Sequence, residues 1–197
     1  MLNQREREAI AGKWAEKLAQ DARGLPREER HRNLAPESAE FICALAVGCG
    51  ARMLLEIGGS SGLSTIALAA AARQTAGRLV SIEIEPGRQG EARRTLKALG
   101  LSDVVEFVLA DAATVLDRYE GLDFVLIDCE KEDYTRFAGM LRLAPGAIVV
   151  ADNILSHGLS DYVRSVRSRA EVESVTLPIG KGLEVSRFPG GSTGPVG

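Results

Sequence analysis

Two rhythms of hydrophobic and polar positions run along this chain. Over residues 3–22 apolar side chains return every fourth position, with Ile10, Trp14, Leu18 and Ala22 on one stripe, which predicts an amphipathic helix. Gly24, Leu25 and Pro26 break it, and the charged run from Arg27 to Arg32 that follows reads as a solvated face or a binding patch. Pro36, whose fixed φ suits a first helical turn, opens a second helix through Phe41, Ile42 and Leu45. From residue 51 short apolar runs alternate with helical stretches. Runs 52–57, 79–84, 104–109, 123–128 and 147–152 predict strands; the intervening 61–76, 87–99, 112–118 and 133–143 predict helices. After a helix near 159–169, the runs 172–177 and 183–188 flank Pro178-Ile179-Gly180-Lys181-Gly182, the pattern of a hairpin.

Strand cores this apolar, separated by helices, predict an α/β domain whose mostly parallel, seven-stranded sheet is covered on both faces. Right-handed crossovers prune the topology to a doubly wound fold, and the terminal hairpin makes the last strand antiparallel. The expected organisation is a helical arm at 1–35, one domain at 36–188, and a disordered tail at 189–197 with almost nothing to bury. There is no internal repeat and no second domain.

Composition narrows the partners. The 197 residues, 45% hydrophobic and 26% charged, suffice for one continuous core. A net charge of -3 gives no global basic field, so nucleic acid is not the expected partner, although a local patch would be enough for a tRNA. No apolar run is long enough to span a bilayer, and the charged start MLNQREREAI lacks the apolar segment of a secretory signal. Cys43, Cys49 and Cys129 have no C-x-x-C spacing and read as reduced thiols of a cytoplasmic protein.

The chemistry begins where the first strand ends, at Glu56-Ile57-Gly58-Gly59-Ser60-Ser61-Gly62-Leu63-Ser64. In an open α/β sheet ligands sit beyond the carboxyl ends of the strands, and glycines there let a ligand approach the backbone. The next strand ends in Glu83, where a carboxylate can bond ribose hydroxyls. Together these indicate a nucleoside cofactor. Gly58, Gly59 and Gly62 miss the dinucleotide spacing, and no Gly-Lys-Ser/Thr of a P-loop is present. The acidic Glu56 before the turn suits a cofactor carrying an amine and a sulfonium rather than a pyrophosphate.

Two further strands end in acids, Asp128 and Asp152-Asn153, which puts three oxygen donors on the same sheet edge. Two carboxylates and an amide suit Mg²⁺, Mn²⁺ or Ca²⁺ rather than zinc; the alternative is that such acids merely cap loops. Lys131 follows three residues after Asp128. A lysine beside a divalent cation has its ammonium form disfavoured and becomes a base; otherwise it is a surface lysine paired with Glu130 or Glu132. His31 and His157 have no partners at ligand spacing, and Trp14 reads as packing.

These residues resemble a known family, the cation-dependent O-methyltransferases: catechol O-methyltransferase, the plant caffeoyl-CoA enzymes and their small bacterial relatives. The resemblance covers about residues 34–188. L-L-E-I-G-G-S-S-G-L-S-T is similar to the family's first cofactor motif and L-V-S-I-E-I-E-P to its second, while L-I-D-C-E-K-E-D-Y and V-V-A-D-N-I-L match its metal and base motifs. The resemblance implies a Rossmann-like methyltransferase fold using S-adenosylmethionine. It implies that Asp128, Asp152 and Asn153 bind Mg²⁺ (or Mn²⁺ or Ca²⁺) and that Lys131 accepts a proton. It also implies that Gly58, Gly62, Ser64, Glu83, Asp111, Ala112 and Asp128 line the cofactor, that Glu56 supports the turn, and that the segment around Leu34 covers the methionine end. Glu184 falls where the catechol enzyme touches a substrate hydroxyl; its alternative is an exposed strand residue. Ser60-Ser61 and Cys129-Glu130 depart from the family's usual residues, the second on the acceptor side. The implied activity is methylation of a hydroxyl on a small catechol-like molecule by a homodimer. The alternatives are a tRNA hydroxyuridine methyltransferase, with the basic residues of the arm on phosphates, and a non-catalytic S-adenosylmethionine-binding protein.

Overall fold

A computed structural model of the chain describes residues 1–26, 29–156 and 158–190. Its helices are α1 (Gln4–Ala22), α2 (Pro36–Gly48), α3 (Leu63–Thr75), α4 (Pro86–Leu99), α5 (Tyr134–Met140) and α6 (Ser160–Arg167). Its strands are β1 (Met53–Ile57), β2 (Arg78–Glu83), β3 (Val105–Leu109), β4 (Leu122–Ile127), β5 (Leu143–Ala151), β6 (Glu173–Leu177) and β7 (Leu183–Phe188). They form one sheet in the order β3-β2-β1-β4-β5-β7-β6, parallel from β3 to β5. β7 is antiparallel to both neighbours, so the last strand of the chain lies inside the sheet and β6 takes the edge.

Strand residues alternate between two apolar clusters, one on each face. Leu54, Phe124 and Val150 join α1, α2 and α3 on one side. Leu55, Val125 and Val149 join α5 and α6 on the other. Ten consecutive residues of α3, Leu63 to Ala72, are buried, which explains its alanine content: a helix covered all round leaves room for little more than a methyl group. Leu2 and Ile10 of the arm belong to the same cluster as α3, so the arm packs as part of the domain.

Three details differ from the expectation. Residues 112–118 form two 3-10 turns rather than a helix, because Asp111 caps Ala113 and the segment is too short to propagate an α-helix. The helix expected over 133–143 ends at Met140, and β5 starts at Leu143 rather than 147; the pairing with β4 shifts register where Pro145 and Gly146 intervene. In α1 the buried face runs through Glu6, Ile10, Lys13 and Lys17, and Leu18 is exposed, because a strict four-residue spacing drifts around a helix of 3.6 residues per turn. His157 and most of the expected tail, 191–197, lie outside the described residues, as do Arg27 and Glu28. Among the described residues no helix is long and apolar enough to cross a membrane.

The register fixes the site. Ile57 of β1 stands level with Ile82, Ile127 and, through β4, Ala151. The backbone N–H of each following residue continues the ladder: Gly58 donates to the Ile82 carbonyl, Asp128 to Ile57 and Asp152 to Ile127. Gly58, Asp128 and Asp152 therefore emerge side by side at the carboxyl edge.

Candidate active site

The cleft at this edge has one half lined by the glycine turn and one acidic half. The first encloses about 710 Å³, counting its open mouth, and is lined by Gly58, Ser60, Glu83, Asp111, Ala112 and Asp128, among others. Five residues predicted to contact the cofactor thus meet there: Gly58, Glu83, Asp111, Ala112 and Asp128. Glycine at 58 is dictated by a close approach. Its φ is +95°, and a Cβ would stand 1.9 Å from the Asp128 carbonyl oxygen. Gly62, at φ +100°, opens α3 where a Cβ would meet Ala92 of α4 at 2.8 Å.

Glu83 braces the turn between these glycines. One carboxylate oxygen accepts from Ser60 N–H (2.7 Å), the other from Ile84 and Glu85 N–H (2.8 and 2.9 Å). Ser60, at φ +45°, is held in a conformation that L-residues rarely adopt. Beneath the turn Glu56 is fully buried and accepts from Thr65 (2.7 Å) and Ser81 (2.6 Å), while its other oxygen has no partner. Burial pushes its carboxyl up, opposed by the hydroxyls of Ser64, Ser81 and Thr65. Ser64 thus faces Glu56 from the first turn of α3.

The segment before α2 folds over the turn. Arg32 N–H donates to Ser60 Oγ (3.0 Å), and the Asn33 amide exchanges hydrogen bonds with Ser61 Oγ (3.0 and 3.1 Å). The Leu34 side chain itself is buried in the α3 cluster, so its neighbours face the site. Arg32 forms an ion pair with Glu130 and lines all three hollows that meet at the acids. The charged run that contains Arg32 reads in sequence as a solvated face or a binding patch; no motif marks Arg32 itself, and only the folded path of the segment brings it here.

In the acidic half Asp128 and Asp152 lie close enough that each depends on the other. Burial and then the charge of Asp152 raise the Asp128 carboxyl well above the usual range, with Arg32 and Lys181 opposing. Burial pushes Asp152 up to about 6, opposed by the Asn153 N–H and Lys181. Asp152 is 1% exposed, and its Oδ1 has no hydrogen-bond partner. Asn153 sits at φ +65° and donates its amide to Asp128 Oδ1 (2.8 Å). Two raised carboxylates, one of them lifted by the charge of the other, an orphaned buried oxygen and a neighbouring amide are a donor set that a hard divalent cation fits.

Lys131 lies on the single turn Lys131–Asp133 and lines a second hollow with Cys129, Tyr134 and Asn153. Its side chain is 57% exposed, and Glu132 stands 3.9 Å away; Glu130 is taken by Arg32. Glu184 is not an acceptor contact. Its carboxylate is fully buried in β7 and engaged by Arg167 (2.8 and 3.1 Å), Ser174 and Thr176, which leaves no exposed face for a substrate hydroxyl. The expected role rested on a local match that did not count the donors β6 and α6 bring. The arm's basic residues are likewise engaged internally: Arg5 on the Ala98 carbonyl, Arg7 on Glu40, Lys13 on Glu91, Lys17 and Arg30 on Asp21.

Comparison with known proteins agrees with this geometry. The family model described as Protein of unknown function (DUF1442) matches residues 27–194. A catechol O-methyltransferase from Mycobacterium tuberculosis is 38% identical over 146 residues, covering 71% of this chain and 63% of that protein. One from Niastella koreensis is 34% identical over 133 residues, covering 64% and 60%. The chain thus aligns with less than two thirds of either relative's length. The crystal structure of the O-methyltransferase TomG from Streptomyces achromogenes, in complex with S-adenosylmethionine, is similar at a TM-score of 0.78 and 25% identity, covering 93% of this chain and 90% of that one. The chain belongs to the DUF1442 family and is similar to these O-methyltransferases.

Proposed function

We propose that this protein transfers the methyl group of S-adenosylmethionine to a hydroxyl of a small, catechol-like acceptor, assisted by a divalent cation. The observation that carries the reading is the orphaned, raised Asp152 carboxylate beside Asp128 and Asn153, at the rim of a cleft built for a nucleoside. Glu83 and the glycine turn receive the adenosine ribose, and Glu56 supplies negative charge under the turn. Arg32 and Asn33 cover the methionine end and exclude water. Asp128, Asp152 and Asn153 would hold Mg²⁺, which when bound orients two neighbouring acceptor oxygens and lowers the pKa of one. Lys131 Nζ, from the acceptor side, takes the hydroxyl proton. The oxygen's electron pair then forms the bond to the methyl carbon as the carbon–sulfur bond breaks, leaving S-adenosylhomocysteine and a methyl ether. Fixing the three atoms in line contributes on the order of 7–11 kcal/mol in favourable cases.

The test is incubation of the protein with Mg²⁺, labelled donor and a panel of vicinal diphenols. A labelled methyl ether that disappears with chelator is expected. Lys131→Met should lower turnover by roughly 10²–10⁴-fold while leaving the affinity for S-adenosylhomocysteine unchanged. Wild-type turnover in Lys131→Met would remove it from this role.

A further inference from the structure

A third hollow, which Lys131 does not line, lies beside Asp128 and Asn153 and carries side chains to which the proposed transfer gives no role. Its walls carry four cationic side chains, Lys17, Arg30, Arg32 and Lys181. Three already have counter-ions: Lys17 and Arg30 share Asp21 (2.5 and 3.1 Å), and Arg32 pairs with Glu130. Lys181 is exposed, and among the described residues no carboxylate lies within ion-pairing distance of it. Its positive charge opposes the raising of the Asp152 and Asp128 carboxyls. A divalent cation on those two acids cancels their charge, which leaves Lys181 as uncompensated positive charge at the rim.

The loop that carries Lys181 is built tightly. Gly180 and Gly182 on either side have φ of +57° and +91°. A Cβ on the first would meet Ser38 Oγ of α2 at 2.5 Å, and on the second Leu155 Cγ at 2.4 Å. Ile154 and Leu155 donate backbone hydrogen bonds to the Gly182 and Lys181 carbonyls (3.1 and 3.0 Å), so the loop is stapled to the chain just after Asn153. The backbone of Lys181 is therefore fixed relative to the acids rather than carried on a free loop. Among the described residues the rings lining the hollows on both sides of Asn153 are those of Tyr134, which is 1% exposed, and His31, whose Nε2 lies 3.0 Å from Glu91, so neither presents an open face to an aromatic acceptor.

We infer that the methyl acceptor carries its own anionic group, a carboxylate or phosphate, which docks on Lys181 while its hydroxyls face Asp128, Asp152 and Asn153. The inference rests on the proposed methyl transfer and names the acceptor class for that same site. Recognition here is by charge at a set distance from the hydroxyls, not by stacking.

The experiment compares protocatechuate, its neutral amide and the corresponding phosphonate as acceptors for the Mg²⁺-loaded protein, alongside calorimetric binding of each in the presence of S-adenosylhomocysteine. The wild-type protein is expected to favour an acid over the amide by about tenfold or more in kcat/KM, with the difference in KM. Whichever acid is preferred identifies the source, carboxylate or phosphate. In Lys181→Gln that preference should fall to near unity in both turnover and binding. Equal use of amide and acids by the wild type, or a preference that survives Lys181→Gln, overturns the inference while leaving methyl transfer standing. Lys181-dependent binding of the acids without any turnover would keep the anion site and sink the transfer. Methylation of a tRNA but of none of the three would overturn the inference in favour of a polymer acceptor.

Discussion

The two halves of the cleft are built on opposite terms. Around β1 and β2 most polar groups already have partners: Glu83 holds three backbone N–H groups, and one Glu56 oxygen holds two hydroxyls. Around β4 and β5 the carboxylates repel each other, and an Asp152 oxygen has no partner at all. The half around the glycine turn is shaped before its ligand arrives, whereas the acidic half stores a cost that the proposed cation would relieve. Pre-organisation lowers the ordering a ligand must bring about, and stored repulsion makes the fold itself report on cation binding.

The comparison breaks most readily at Gly58, where the halves touch. Gly58→Ala places a methyl carbon on the Asp128 carbonyl in a backbone conformation that alanine disfavours. Either the turn or the β4 end must move, and a loss of about 4 kcal/mol or more in urea unfolding is expected, with donor binding abolished. A loss under about 1 kcal/mol would show that the two strand ends are not locked together.

A smaller effect comes from pH. Asp152 titrates near 6 in the folded protein, against an ordinary unfolded value near 3.8. A raised acid binds its proton more tightly when folded, so its favourable contribution is full below the unfolded value and lost as pH rises through about 6. Without cation, stability should fall by about 2 kcal/mol between pH 4 and 7 from this group, with Asp128 acting in the same direction. Mg²⁺ should restore stability at neutral pH by binding only the folded, ionised pair, and Asp152→Asn should flatten the pH dependence and abolish the Mg²⁺ effect. Thermal unfolding at several pH values, with and without Mg²⁺, reads all three. An Mg²⁺ response that persists in Asp152→Asn would place the cation elsewhere.

The same division decides what could be read from the sequence. Strand ends announce themselves, because a parallel strand is a continuous apolar run, and the apolar pattern alone puts Glu83, Asp128, Asp152 and Asn153 on the edge where the fold has them. The glycine turn was legible as a ligand approach, but its stronger reason, the Asp128 carbonyl against Gly58, belongs to a partner seventy positions away. Arg32 and Lys181 were not legible. Both sit in segments without periodicity, and a charge in such a segment looks solvated until the hydrogen bonds of Ser60 and Leu155 show where it is pinned. Glu184 failed for a related reason: its ion pair with Arg167 joins β7 to α6, a contact that no local motif encodes.

The mildest perturbation tests whether the halves are energetically separate. Glu83→Gln keeps the size of the side chain but replaces one acceptor oxygen with an amide that must face a backbone N–H, at Ser60 or at Ile84 and Glu85. One of these charge-assisted bonds is lost, and Ser60, already at positive φ, is held less firmly. The affinity for S-adenosylhomocysteine should fall by about tenfold, corresponding to about 1.4 kcal/mol. The stabilisation by Mg²⁺ at neutral pH should be unchanged, because none of the groups that raise Asp152 is touched. Calorimetry for the nucleoside and thermal shifts for the cation, on the same variant, separate the outcomes. If Glu83→Gln weakened both, the rim would act as one coupled site, and the turn, not the aspartates alone, would set the affinity for the cation.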